Sequence, residues 1–214
     1  MNVTLPFKGL AYEFSDVLGA HAKNCGAVNT LSFSEDGRVY GESTDGVGLI
    51  TDLNNHTITI KDRSVLVIGA GGTAKSILPS IIEMNPKTIT LTNRTKKNAE
   101  SLRSAFLHLF KIDCILGENI DRNYDLVINT TSSQLSNVVP SINSIAVKGA
   151  DSYDVNYSWE QTLFQSWSSD NGSSTALQGW GMLVEQAAES FSIWRGIRPE
   201  TSDVVDRLQA EVEN

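Results

Sequence analysis

Apolar residues follow two rhythms along this chain, and the change between them marks its organisation. From residue 64 onward, short continuous apolar runs alternate with segments of helical period. The runs lie at residues 65–68, 88–92, 112–116, 126–128 and 153–155. Continuous runs fit strands buried on both faces. Their alternation with helical patterns at 72–84 and 96–110 predicts a parallel α/β sheet. The flanks read differently. Residues 2–5 predict a strand, and 7–23 a helix with Leu10, Phe14, Val17, Leu18 and Ala22 on one face. Residues 28–33 and 38–41 predict two strands joined by a turn at 34–37. Residues 44–53 predict a connecting helix with Thr44 or Asp45 near its start. Toward the other end, Leu183, Ala187, Phe191 and Trp194 repeat at helical spacing within 182–194, which predicts a core-facing stripe. The central α/β unit is thus bracketed by two pieces able to pack together as a second domain.

A length of 214 residues suffices for one domain or two modest ones. Charge narrows the ligands. Lys and Arg total 17 against 25 Asp and Glu, for a net charge of −8. That balance argues against general nucleic-acid binding, which relies on clustered cations. Any anionic ligand must then be held by local groups. Cys25, Cys114, His21, His56 and His108 are scattered, so neither a disulfide framework nor a metal site is expected. No apolar run reaches membrane-spanning length, and the start lacks a signal-peptide layout. A cytoplasmic protein without a membrane partner is the expectation, and the sequence specifies no oligomeric state.

Gly69, Ala70, Gly71, Gly72, Thr73 and Ala74 directly follow the strand at 65–68 and open a helix. Glycines also simply mark tight turns, but a strand before and a helix after give the context of a Rossmann dinucleotide fingerprint. Gly69 permits the turn, Gly71 lets backbone approach a pyrophosphate, and small Ala74 allows close helix–strand packing. Unpaired N–H groups at the helix start then face the anion. The second strand selects the dinucleotide. Enzymes using NAD usually end it in Asp or Glu, which accepts from the ribose 2′-hydroxyl. Here it ends in Asn93, Arg94 and Thr95, and a guanidinium pairs with a 2′-phosphate instead. NADP is the expected cofactor. Lys96 and Lys97 also read simply as a solvated helix start.

The outer segments carry Asn2-Val3-Thr4-Leu5-Pro6-Phe7-Lys8, Gly26-Ala27-Val28-Asn29-Thr30 and Ser43-Thr44-Asp45-Gly46. Singly, Lys8 reads as a solvated lysine, Asn29 as a turn residue and Asp45 as an N-cap. Together with the nucleotide unit they resemble the shikimate dehydrogenases. The match continues in family order through Asn129-Thr130-Thr131-Ser132, Asp154-Val155-Asn156-Tyr157 and Gly181-Met182-Leu183-Val184-Glu185-Gln186-Ala187.

The resemblance implies reversible NADP-dependent reduction of 3-dehydroshikimate to shikimate, a step toward chorismate and the aromatic amino acids. It implies an α/β fold in which a Rossmann-type NADP-binding domain, residues 46–178, is inserted into a smaller α/β substrate domain, residues 1–45 and 179–214. By motif position, Lys8 and Asp45 match the catalytic pair. Thr4, Asn29, Asp45, Tyr157 and Gln186 match residues that hold the substrate ring, and Val155 and Gly179 match positions at the nicotinamide end. The chemistry suits these residue types. Hydride arriving at a ketone carbon leaves an alkoxide that needs a donor, and a lysine ammonium positioned by a carboxylate supplies one.

The sequence departs from the family pattern at Ser43, usually asparagine, and at Asn98, commonly basic in the 2′-phosphate loop. Asn156, Ser158 and Trp159 are also unusual around Tyr157. Family members begin with a strand–helix–strand stretch whose Ser-x-Ser motif contacts the substrate carboxylate. This chain starts at Met1, just before the Asn-Val-Thr motif. The substrate domain is therefore expected to lack its N-terminal part, and the chain to bind NADPH with little or no turnover of shikimate. Two other readings stay open: an NAD-dependent quinate/shikimate dehydrogenase, and an NADP-binding remnant without turnover.

Overall fold

The computed structural model describes residues 1–4, 6–132 and 138–212. Its first elements are α1 (Lys8–Phe14), β1 (Val17–Leu18), α2 (Ala20–Cys25), β2 (Thr30–Phe33) and β3 (Val39–Glu42). The strands form a small sheet ordered β1-β3-β2, with β1 parallel and β2 antiparallel to β3.

The single helix expected over 7–23 is thus two helices and a strand. Ser15 turns extended after α1, and the Val39 N–H donates to the Asp16 carboxylate at 2.8 Å. The chain is drawn across to pair Val17 and Leu18 with β3. Helical spacing counted through a strand joins residues that share no face. Ala22 is buried, but Leu10 and Phe14 are 61% and 62% exposed. Residues 2–4 form no strand either; Asn2 makes only an isolated bridge to Thr30. The Phe7 N–H then donates to the Thr4 carbonyl at 2.9 Å, and Pro6 has no N–H with which to continue a ladder. Leu5, the last residue of that expected strand, lies outside the described residues.

α3 (Asp45–Asn55) leads to a second sheet of β4 (Ser64–Ile68), β5 (Thr88–Thr92), β6 (Ile112–Ile115), β7 (Leu126–Asn129), β8 (Asp151–Asp154) and β9 (Thr175–Gln178). The order is β6-β5-β4-β7-β8-β9 and every pairing is parallel. That is the Rossmann arrangement, whose strand order reverses between β4 and β7. Such sheets take ligands beyond the carboxyl ends of the strands at this switch point. α4 (Gly72–Glu83), α5 (Lys96–Phe106), α6 (Leu163–Asp170), α7 (Trp180–Arg195) and α8 (Ser202–Val212) complete the fold. Neither β9 nor α6 nor α8 was foreshadowed in the hydrophobic pattern; the edge strand β9 has only half-buried residues.

Alternate residues of the large sheet feed two cores. Val65, Val67, Leu126 and Ile128 face one with Ile77, Leu78 and Ile81 of α4, while Leu66, Ile68 and Val127 face another with Tyr124 and Phe164. α3 lies against both α4 and α7. A Cβ on Gly46 would stand 2.2 Å from Ser80 Oγ, and one on Gly48 would stand 2.8 Å from the Gln186 backbone nitrogen. Glycine alone permits so close an approach. These contacts also decide which side of α7 faces inward. Trp180, Gly181, Met182, Glu185, Ala188 and Ser190 are buried. The stripe expected to face the core does not: Phe191 is 42% and Trp194 36% exposed, Ala187 is exposed and Leu183 is half-buried. Among the described residues no helix is long and apolar enough to cross a membrane.

Candidate active site

Three segments meet beside the first turn of α3. Lys8 opens α1, Asn29 precedes β2, and Asp45 opens α3, where the helix dipole favours a carboxylate. Lys8 Nζ lies 2.6 Å from Asp45 Oδ2, with side-chain exposures of 16% and 8%. The Asn29 amide donates to Asp45 Oδ1 at 3.0 Å, to Thr44 Oγ1 at 2.9 Å and to Gln186 Oε1 at 3.2 Å. In return Asn29 Oδ1 accepts from the Thr44 N–H at 2.9 Å. One side chain therefore fixes the carboxylate, the start of α3 and the α7 amide together. The structure brings Lys8, Asn29, Asp45 and Gln186 into one cluster, although they come from both ends of the chain.

Two expected substrate residues stand outside this hydrogen-bonded cluster. Thr4 is exposed, its carbonyl occupied in the turn to Phe7. Tyr157 is half exposed and packs tilted against Trp180 with ring centroids 4.5 Å apart, and Trp159 packs tilted against Trp180 at 4.7 Å. The pattern of the sequence missed a supporting layer of hydroxyls. Ser190 Oγ lies 2.7 Å from Thr30 Oγ1 and 3.3 Å from Thr44 Oγ1, and Asn2 Nδ2 donates to it at 3.0 Å. A signal was present, because Ser190 lies one helical turn after Gln186 and shares its face.

At the switch point, Gly69 adopts φ +108°, a left-handed conformation that favours glycine. A Cβ there would stand 2.5 Å from Thr130 Oγ1. Gly71 caps α4 with no side-chain hydrogen bond, and Ala74 is fully buried against the sheet. Ala70 is half-buried, Gly72 begins α4 and Thr73 follows in its first turn. Beyond β5, Asn93 Nδ2 donates to the Thr95 carbonyl at 2.9 Å, which shapes the loop that leaves Arg94 exposed before α5.

The ends of β7 and β8 are locked by polar contacts. Asp154 accepts from Asn129 Nδ2 at 3.0 Å, Asn156 Nδ2 at 2.7 Å and Thr162 Oγ1 at 2.7 Å. Burial pushes the Asp154 carboxyl up, against the pull of those hydrogen bonds. The locked segment continues into Val155, whose carbonyl would stand 2.4 Å from a Cβ on Gly179. Val155 and Gly179 therefore adjoin where α7 begins. A paired ammonium and convergent amides thus lie at the start of α3, and an uncapped helix start stands at the switch point of the large sheet.

Comparison with known proteins points to one family. A family model described as shikimate/quinate 5-dehydrogenase matches residues 52–151. A second, described as the shikimate 5′-dehydrogenase C-terminal domain, matches residues 179–209. The chain is 42% identical over 213 residues to a protein of Halorhodospira halophila named shikimate dehydrogenase (NADP(+)), covering 98% of this chain and 77% of that one. The crystal structure of an Ael1 enzyme from Pseudomonas putida superposes with TM-score 0.88 at 33% identity, over 97% of this chain and 77% of that one. Shikimate 5-dehydrogenase of Thermus thermophilus in complex with NADP(H) and shikimate superposes with TM-score 0.84 at 26% identity, over 98% and 78%.

Proposed function

The chain belongs to the shikimate dehydrogenase family of oxidoreductases, and on that footing we propose that it catalyses reversible NADP-dependent reduction of 3-dehydroshikimate to shikimate. The observation that carries the reading is the 2.6 Å pairing of Lys8 with a largely buried Asp45, flanked by the amides of Asn29 and Gln186. The Lys8 ammonium gives its proton to the ketone oxygen as the carbon is reduced, and the neutral amine regains a proton from solvent. Asp45 aims the ammonium and stabilises its charge. Thr4, Asn29, Asp45, Tyr157 and Gln186 hold the ring, with Asn29 kept rigid by Thr44.

A bound nicotinamide dinucleotide supplies or accepts the hydride. The β4–α4 loop fits such a group. The first-turn N–H groups of α4 have no side-chain cap, and a Cβ on Gly71 would meet nothing within 4 Å. Gly69, Ala70, Gly71, Gly72 and Thr73 would hold the pyrophosphate, Asn93, Arg94 and Thr95 the 2′-phosphate, and Val155 and Gly179 the nicotinamide end. On this reading residues 46–178 bind cofactor, and residues 1–45 with 179–214 bind substrate.

The test pairs NADPH titration by fluorescence with shikimate-dependent NADP reduction. Both are run on the chain itself and on a version extended at Met1 by a relative's N-terminal segment. NADPH should bind more tightly than NADH in both, and shikimate should reduce NADP, faster in the extended version than in the chain itself. Equal affinity for the two cofactors would sink the NADP assignment. Faster turnover of quinate with NAD would favour that specificity instead. Cofactor binding without turnover in either form would leave a binding protein only.

A further inference from the structure

Asp52 has no part in the reaction described above, yet its carboxylate ties the helix that carries it, α3, to two further elements that serve it. The residue is 1% exposed, in the middle of α3 between the buried Leu49 and Leu53. Its Oδ2 accepts from the Tyr153 hydroxyl of β8 at 2.5 Å. Its Oδ1 faces α7, where Gly181 passes so close that a Cβ would stand 1.9 Å away. Among the described residues the one basic side chain within ion-pair reach is His56, with Nδ1 3.4 Å from Oδ1 and a charge only when protonated. Burial and the neighbouring Asp52 hold the Tyr153 hydroxyl well above its ordinary pKa, so it stays a donor.

Each of these elements delivers a residue to the site. Asp45 lies seven positions before Asp52, two helical turns away on the same face of α3. Gly181 lies two residues after Gly179 and five before Gln186. Tyr153 lies two residues before Val155 and four before Tyr157. A buried carboxylate with so few partners costs free energy that an apolar side chain of similar volume would not. Its contacts, however, fix how far α3 slides along α7 and over the end of β8. We propose that Asp52 is a positioning residue, whose carboxylate, gripped by Tyr153 and seated on Gly181, sets Asp45 at its working distance from the cofactor end of the cleft. This rests on the reading of Lys8 and Asp45 as the catalytic pair.

The experiment compares Tyr153→Phe, Asp52→Asn and the double variant with Lys8→Ala and the parent. All are assayed well below the unfolding midpoint of the weakest, in whichever form of the chain turns over. Tyr153→Phe and Asp52→Asn should each lower kcat about tenfold, with the KM for shikimate and the Kd for NADPH changed less than about threefold. The double variant should be no slower than the slower single one, because the two groups act as a unit. A merely structural role would lower the unfolding midpoint and leave kcat intact, and that result overturns the proposal. An inactive Lys8→Ala beside a fully active Tyr153→Phe overturns the positioning role alone. A fully active Lys8→Ala, or a parent without turnover in either form, removes the catalytic pair and this proposal together.

Discussion

The six-stranded sheet is covered on both faces, with Leu66 and Val67 turned to opposite cores. The three-stranded sheet has one small core of Ala11, Ala22, Val28, Leu31 and Val39, while Phe33 beside it is 56% exposed. The large sheet is held by apolar burial that belongs to its own sequence. The small one leans on polar contacts from far along the chain: Thr30 to Ser190, Asn29 to Gln186, and the Trp194 indole N–H to the Leu31 carbonyl at 2.9 Å. Stability and chemistry are thus housed apart. The region with the deeper core makes the proposed cofactor crevice, and the region with the thinner one presents the proposed proton donor. Elements with few buried apolar contacts open at lower free energy, so the two should respond differently to the same insult.

The largest effect should come from the thin side. Lys8→Ala should lower kcat by about 10²–10⁴-fold, the range for a positioned general acid, and leave NADPH affinity within about twofold. Near-normal turnover would remove Lys8 from the reaction. Next comes Leu66→Ala, which should cost about 2–5 kcal/mol of global stability, read by urea unfolding. Its counterpart Leu31→Ala should lower the temperature at which turnover fails while NADPH still binds. Coincident loss of both functions would mean that the two regions melt as one. Arg94→Asp acts on the deep side without touching its core. It should weaken NADPH binding by about ten- to hundredfold, on ~1.5–3 kcal/mol per charge-assisted hydrogen bond, and spare NADH. An unchanged preference would show that other groups hold the 2′-phosphate.

The smallest effect lies at the junction. The hydrogen bond to Asp52 is the main cause raising the pKa of His56 above its ordinary 6.5, with burial opposing it. The folded state therefore binds the proton more tightly than the unfolded state. This stabilisation is full below about pH 6.5 and is lost as pH rises through the higher folded value. His56→Gln should remove that part of the pH dependence of unfolding and leave stability nearly unchanged above it. A slope identical to the parent's would exclude His56 as its source.

The parts legible in the sequence were those whose chemistry is local. A strand, a glycine turn and an uncapped helix start lie within ten residues at 64–73, so Gly69 and Gly71 declare themselves by spacing alone. Lys8 and Asn29 do not. Read singly they are a surface lysine and a turn residue, and family resemblance joined them where periodicity could not. They meet on the Asp45 carboxylate, 37 positions beyond Lys8 and 16 beyond Asn29, and Gln186 of α7 joins from more than 150 residues away. The inward face of α7 was misjudged for a related reason. Its apolar residues Phe191 and Trp194 announce a core face, but the close packing of Gly48 on Gln186 and of Gly181 on Asp52 turns another side inward. Glycines and a carboxylate carry no hydrophobic signal. The helix read through 7–23 failed where Asp16 tied the chain to β3, a pairing set by residues not yet reached at that point in the sequence.

The hydrogen bond from Trp194 to Leu31 spans 163 positions, and the contact of Ser190 with Thr30 spans 160. On a ribosome adding ~5–20 residues per second, such partners are separated by roughly ten to thirty seconds of synthesis. During that interval β2 and β3 have emerged while α7 has not, and the whole Rossmann unit is made in between. The earlier-born sheet is then the last to be completed, and it waits with Thr30 and Leu31 still without their α7 partners. Nascent chains arrested after residue 178 should show a protease-resistant core over the large sheet and cleavage within residues 1–44. Release of the remaining residues should protect both.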